Sequence, residues 1–208
     1  MKAALCVLAA GLALGFAGTA CVAGSGNAKA DKRAASGASC PKAWKRGWQK
    51  LADQVKAPVY CPTWMPSPLD GQIGGPWTDI DSVARDRSYL VSFLYHETGT
   101  GDVHVNFRAY PGRTKIPRCR EIQFVSGKAR KSYLPCFADP NGRTKVGSIV
   151  ATFYTVNQDA DQWHVLYAWR HDGTLYTVSQ HVTAPLSYRQ VRKDLDHVLR
   201  GLALVQPA

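Results

Sequence analysis

The chain has 208 residues, of which 45% are hydrophobic and 20% charged, a balance typical of globular rather than disordered proteins. The formal net charge of +11 favours anionic partners such as phospholipid head groups or acidic wall polymers. The basic residues are spread along the chain without the clustering of nucleic-acid-binding surfaces, so no nucleic-acid site is predicted.

The N-terminus predicts export. Met1-Lys2 and the apolar run to Ala17 have the build of a secretory signal peptide and are short for a membrane span. Residues 18–21, Gly-Thr-Ala-Cys, resemble the lipobox of bacterial lipoproteins, although Gly18 stands where that family prefers Leu. The resemblance implies that Cys21 is lipidated and anchors the protein at the extracytoplasmic face of the cell membrane. Ordinary cleavage after Ala20, which yields a secreted protein, is the alternative.

Cysteine usage agrees with an oxidising compartment. Cys6 leaves with the signal peptide, and four of the remaining cysteines can form two disulfides, which leaves Cys21 unpaired. A two-residue turn at 127–128 would place Cys119 directly opposite Cys136 on neighbouring strands, which predicts that bridge. Cys40 with Cys61 follows by elimination.

The domain is predicted to follow a flexible tether, so that residues 1–20 are the signal, 21–39 the tether and 40–208 a single domain. Apolar residues at helical spacing predict a helix that runs to Lys56, and the proline-rich segment 60–70 is predicted to be irregular. Trp64 and Trp77 lie in loops, where they can contact a sugar or lipid ligand or else plug the edge of the core.

Residues 89–96 and 103–110 are predicted to pair around a three-residue loop at 99–101. This register sets His96 opposite His104 on the face away from the core, with Arg108 on the same face as a further candidate ligand contact. A strand at 146–156 follows.

The segment 163–182 contains the strongest hairpin signal, Asp172-Gly173 between two aromatic-rich strands. Its register buries one aromatic face and sets His164 opposite His181 on a mixed face that can meet water. The two histidine pairs, His96 with His104 and His164 with His181, can share a divalent metal if a carboxylate such as Glu97 or Asp102 joins them. Alternatively they are histidines on a solvated strand face, with no cofactor.

Ser187 to Gln190 fits a capping box, and apolar residues at helical spacing predict a C-terminal helix. The strand 163–170, the Asp172-Gly173 turn, Leu175-Tyr176 and the segment 191–205 together resemble the end of the PsbP-like family. The resemblance implies an α/β/α sandwich around an antiparallel sheet and a binding or assembly role, sometimes with a metal. A half-barrel lipoprotein carrier fold is the other architecture considered.

The predicted fold is α+β, an antiparallel sheet of about seven strands in a meander, packed by an N-terminal and a C-terminal helix and held by two disulfides. Nucleophile-elbow, zinc-protease and phosphate-loop motifs do not occur in the sequence, so no catalytic residue is predicted. We therefore predict a membrane-anchored, extracytoplasmic module that binds a ligand or an envelope protein without catalysis. The alternatives are a small envelope hydrolase, with or without the help of a metal, and a lipid carrier.

Overall fold

A computed structural model describes residues 38–72, 82–95, 103–158, 161 and 163–208. The helices of these residues are α1 (Lys42–Val55) and α2 (Tyr188–Arg200), with a 3₁₀ helix at Leu69–Gln72. The strands are β1 (Val59–Pro62), β2 (Ser82–Val83), β3 (Tyr89–Tyr95), β4 (Val103–Tyr110), β5 (Arg118–Val125), β6 (Lys128–Pro135), β7 (Gly142–Val146), β8 (Ile149–Val156), β9 (His164–His171), β10 (Thr174–His181) and β11 (Leu202–Val205). Neither α-helix is long and apolar enough to cross a membrane.

The strands form three antiparallel sheets, not the single meander that was predicted. The main sheet has the order β2-β3-β4-β10-β9-β8-β7, with six full strands and the two-residue β2 at one edge. β10 lies between β4 and β9, so the order of strands in space departs from their order in the chain. Two of the seven predicted strands, β5 and β6, pair only with each other, and β1 pairs with β11. The α+β class and both disulfides are confirmed.

The β9–β10 hairpin has the predicted register. Asp172 and Gly173 both have positive φ, 45° and 69°, as a type I′ turn requires. Trp169 therefore pairs with Tyr176, and His164 with His181. The expectation that the second face meets water is wrong for β10, because every residue of this strand is buried.

Both helices pack on the aromatic face of the main sheet. The buried stripe of α1 includes Trp44 and Trp48, whose rings contact Phe93 and Phe107 of the sheet. In α2 the N-cap half of the predicted capping box is confirmed, since the Ser187 hydroxyl accepts a hydrogen bond from the Gln190 N–H. The Gln190 side chain donates to Asp194. An α/β/α sandwich, as the PsbP-like resemblance implies, needs a helical layer on the second face, and neither described α-helix lies there.

A cation anchors α2 to the sheet. The guanidinium of Arg192 lies 3.7 Å from the ring centre of Phe153, and its Nε donates to the hydroxyl of Tyr167 at 2.7 Å. That hydroxyl donates in turn to Asp196 at 3.0 Å. The carboxylate of Asp196, on the same helix as Arg192, therefore completes a polar link between α2 and the sheet. A wholly apolar helix face could not make this link.

Segment 59–62 corrects a further prediction. Residues 60–70 were expected to be irregular, but Val59–Pro62 form β1 and pair with Leu202–Val205, the apolar tail after α2. The disulfide between Cys40 and Cys61 joins the start of α1 to this strand. Leu202 and Ala203 are therefore part of the core, and a run of four apolar residues shows no alternation that would identify it as a strand.

The Cys119–Cys136 bridge is confirmed, but the register that predicted it is wrong. The turn is formed by Ser126 and Gly127, with φ of 51° and 76°, and not by residues 127 and 128. Moving a turn by one residue shifts every strand partner by two, so Cys119 lies opposite Leu134 and Cys136 lies beyond the ladder.

Truncation of the buried α1 stripe tests this packing. Leu51→Ala is expected to lower the free energy of unfolding by about 2–5 kcal/mol, because the smaller side chain leaves a cavity in the core and loses the contacts that Leu51 makes there. The exposed neighbour provides the control, since Lys50→Ala should stay within about 0.5 kcal/mol of the wild type. Urea unfolding followed by tryptophan fluorescence measures both, and equal effects of the two changes would contradict the assignment of the buried face.

The buried tyrosines predict a loss of stability at alkaline pH. Burial raises the pKa of Tyr89 well above its ordinary value and also raises the pKa of Tyr60. The unfolded chain therefore releases protons at about pH 10 that the folded chain retains, so the free energy of unfolding should fall as pH rises above about 10. Tyr89→Phe removes one of these groups, and its urea midpoint should fall less steeply between pH 9 and pH 11, whatever its starting value. An identical slope would show that Tyr89 ionises alike in both states.

Candidate functional site

The second face of the main sheet is only partly covered. A small apolar cluster, Phe137, Tyr154, Ala168 and Leu175, covers one part of it. Beside this cluster lies a cleft of about 340 Å³, which the Cys119–Cys136 bridge helps to wall. Its lining alternates along the central strands, as residues on one face of a pleated sheet must. The lining residues are His104, Asn106, Arg108, Tyr110, Cys119, Cys136, Phe137, Val156, Asn157, His164, Leu166, Thr177 and Ser179.

The histidines of this face form one row rather than two pairs. His104 lies opposite Leu94, so the predicted pairing with His96 is wrong; His96 itself and the predicted loop at 99–101 lie outside the described residues. The register error is two residues, which keeps His104 on the predicted face. Val105 pairs with Gln180, and the next position along β4 and β10 brings His104 beside His181. His164 pairs with His181 from the other side, as predicted.

Within this row the ring of His181 contacts both of the other rings. Its ring centre is 4.8 Å from that of His104 and 5.1 Å from that of His164. The Nε2 atoms of His104 and His164 meet at 2.7 Å, so one of them donates and the other accepts. Nε2 of the buried His181 lies 2.8 Å from the carbonyl of Asp161, to which it donates. Ring contacts and one hydrogen bond between His104 and His164 therefore hold the cluster together.

Metal binding by these histidines stays a prediction. The ring of His181 stacks on that of His164 with an interplanar angle of 23°, and stacked rings do not direct their nitrogens toward one point. No group of three or more His, Cys, Asp or Glu within the described part of the chain is placed to hold a metal ion. Glu97 and Asp102, the carboxylates that the prediction invoked, lie outside that part.

Arg108 supplies a positive charge to the lining of the cleft. It lies on β4 with an exposed side chain, two positions from Asn106 and two from Tyr110. Burial raises the pKa of the Tyr110 hydroxyl, while the positive charge of Arg108 and a hydrogen bond with it act in the opposite direction. The hydroxyl of Ser92 donates to Oδ1 of Asn106 at 2.6 Å, and this orients the Asn106 amide so that its N–H groups remain as donors.

The described lining residues therefore offer donors and positive charge. None of them is Asp or Glu, while Arg108, Asn106 and the hydroxyls of Thr177 and Ser179 can all donate hydrogen bonds. No hydrogen bond joins Ser179 or Thr177 to a histidine among the described residues. The arrangement suits binding of an anionic group.

Several lining residues were missed by the sequence prediction. Thr177 and Ser179 lie on the same face of β10 as His181, so the correct hairpin register already carried the signal for them. Phe137 and the disulfide carried no such signal, because their place over the sheet depends on how the β5–β6 hairpin folds back.

The loop tryptophan Trp64 is not part of this cleft. Its ring stacks on His197 of α2, with 3.9 Å between ring centres, and packs against the main core. The structure therefore places it as a plug at the core edge and does not bring it near Arg108. Trp77 and Cys21 lie outside the described residues.

A second hollow, of about 610 Å³, lies along the exposed side of α1. Its lining comes from that helix alone, so no opposing wall among the described residues encloses a ligand. The residues are Lys42, Lys45, Arg46, Gln49, Lys50 and Asp53.

Comparison of the chain with protein-family models, curated proteins and solved structures finds no match. The lipoprotein and PsbP-like resemblances therefore stay predictions.

Proposed function

We propose that the protein is an exported, lipid-anchored module of the cell envelope that binds a small anionic ligand in the cleft and does not catalyse a reaction. The observation that carries this proposal is the composition of the cleft: one guanidinium, amide and hydroxyl donors and imidazoles, with no carboxylate among the lining residues that the structure describes. An anion at this position would gain charge-assisted hydrogen bonds, and none of the described lining residues would repel it with a negative charge.

The ligand is expected to be organic rather than a bare inorganic anion. Phe137, Leu166 and Val156 line the same cleft, and its volume of about 340 Å³ lies at the lower end of small-molecule sites, which run from about 300 to 1,000 Å³. Such a site favours a molecule with one acidic group and a short apolar body. Apolar walls would contribute affinity and the polar groups orientation.

Two disulfides are consistent with an extracytoplasmic location. Anchoring through Cys21 rests on the lipobox resemblance and on the cysteine count, since neither described bridge includes Cys21. The positive net charge would favour contact with acidic envelope polymers and lipids, as well as with the ligand.

The two alternatives gain less support. A hydrolase needs a nucleophile in contact with a base, and Ser179 and Thr177 have no such contact in the described structure. A lipid carrier needs an apolar cavity beneath the sheet, whereas the helix-facing side is filled by fully buried side chains such as Trp44, Trp48 and Tyr167. We therefore put neither forward.

Ligand binding can be tested by native mass spectrometry of the protein isolated gently from the extracytoplasmic fraction of its host. We expect an additional mass on the wild type, and we expect Arg108→Ala to lose it, because removing a charged donor weakens affinity by roughly 10- to 100-fold. Lys145→Ala removes an exposed cation of β7 outside the cleft lining and should retain the mass. A wild type that carries only its own mass, or an Arg108→Ala variant as fully occupied as the wild type, would contradict binding in this cleft.

The anchor is tested separately by Cys21→Ser. This variant should fail to incorporate a labelled fatty acid, because the thiol is the site of lipid attachment in the lipoprotein pattern. Cys6→Ser, which alters a cysteine of the predicted signal peptide, should label like the wild type. A wild type that is unlabelled and secreted with its N-terminus at residue 21 would establish the secreted alternative.

A further inference from the structure

We propose that the β5–β6 hairpin, residues 118–135, is a membrane-docking element that binds the surface of an anionic phospholipid bilayer. The hairpin forms a two-stranded sheet of its own and makes no strand pairing with the main sheet. Apart from Cys119 at its base, the hairpin lies outside the lining of the proposed cleft, and its docking does not depend on ligand binding there.

The first observation is that the hairpin exposes large apolar side chains. Every residue of β5 is exposed, and in β6 only Ser132 is half-buried. Phe124 is 77% exposed and Tyr133 is 56% exposed, and Ile122, Val125 and Leu134 are exposed as well. An exposed cluster of this kind marks an interaction surface, because a globular domain gains nothing by leaving it in water.

The second observation is the charge on the same element. The hairpin carries five cations and one carboxylate, Glu121, and hence a net charge of +4. This charge complements a surface of anionic head groups, where each Lys or Arg is worth about 1 kcal/mol. The cations are Arg118, Arg120, Lys128, Arg130 and Lys131.

The strand register sorts these groups by face. Ile122 pairs with Lys131, and Arg120 pairs with Tyr133. Because side chains alternate along a strand, these four share one face with Arg118 and Phe124, while Glu121 lies on the other. One face therefore presents three cations and three large apolar or aromatic side chains with no acid. Alternating cations and aromatic residues suit the bilayer interface, which solvates both.

The shape of the tip favours a bilayer over a protein partner. Phe124 and Val125 directly precede the Ser126-Gly127 turn, so these two apolar side chains lie at the tip of the hairpin. A narrow apolar tip can enter the head-group region while Lys128, across from Val125, and Lys131 reach the phosphates beside it. The Cys119–Cys136 disulfide clamps the base of the hairpin, so the tip is presented in one geometry.

The contact can be measured without the lipid anchor, using the chain from residue 21 onward with Cys21→Ser. The described residues belong to one compact unit, residues 34–208, which this chain contains whole. The chain should sediment with vesicles of equal parts phosphatidylglycerol and phosphatidylcholine and remain in solution with phosphatidylcholine vesicles. Binding should fall steeply between about 0.05 M and 0.5 M NaCl, because head-group attraction is screened. Equal binding to both vesicle types, or none to either, would overturn the proposal.

Matched variants locate the contact on the hairpin. Phe124→Ser should weaken partitioning about tenfold, since burial of a Phe side chain is lost. Lys131→Glu should weaken it at least about fivefold, since an attraction becomes a repulsion. Val150→Ser and Lys50→Glu make the same kinds of change at exposed positions outside the hairpin, on β8 and α1, and should have a smaller effect.

Two results would reject the bilayer as the occupant. One is an equal loss of vesicle binding in the hairpin variants and their controls. This result would assign vesicle binding to the protein surface as a whole and not to the hairpin. The other is a wild type that dimerises in analytical ultracentrifugation and a Phe124→Ser variant that is monomeric, with neither binding vesicles. In that case the hairpin would dock on a second copy of the chain. Unchanged urea midpoints should accompany both hairpin substitutions, since the altered side chains are exposed.

Discussion

The central position of β10 is the constraint on which the rest of the structure depends. Because β10 pairs with β4 on one side and β9 on the other, all eight of its residues are buried, and they include Thr177, Ser179 and His181. The type I′ turn at Asp172-Gly173 sets which of its residues face the helices. A shift of one residue would turn the histidine row toward the apolar core and Tyr176 and Val178 away from it.

The two faces of the sheet consequently serve different purposes. The helix-facing side is closed by aromatic packing, and its polar groups are used in links such as Arg192 to Tyr167. The second side has no helix among the described residues, and it is covered instead by Phe137 and the disulfide-linked base of a hairpin. Such a partial cover leaves room for a cleft, and the polar residues of the central strands become its lining.

Charge links the two proposals without making either depend on the other. The cleft combines Arg108 with neutral donors, which suits one small anion held in a defined orientation. The hairpin combines a dispersed charge of +4 with exposed apolar side chains, which suits a broad surface rather than a single ligand. An anionic envelope surface and an anionic small molecule are thus distinguished by geometry rather than by charge.

Local sequence by itself determined both α-helices, the cap at Ser187 and the β9–β10 register, because each depends on neighbours close in the chain. The pairing of the four cysteines was also predicted correctly, but by elimination and from a turn placed one residue too far along the chain. It also placed Arg108, His104 and His164 on one face. Only the tertiary structure decided that β10 lies beside β4, that His104 joins His181 and not His96, and that β5 and β6 leave the main sheet. Strand order and sheet membership arise from contacts between residues that are distant in sequence. The alternation of apolar and polar residues along a strand is the same whichever strand lies beside it, so this alternation cannot predict the neighbour.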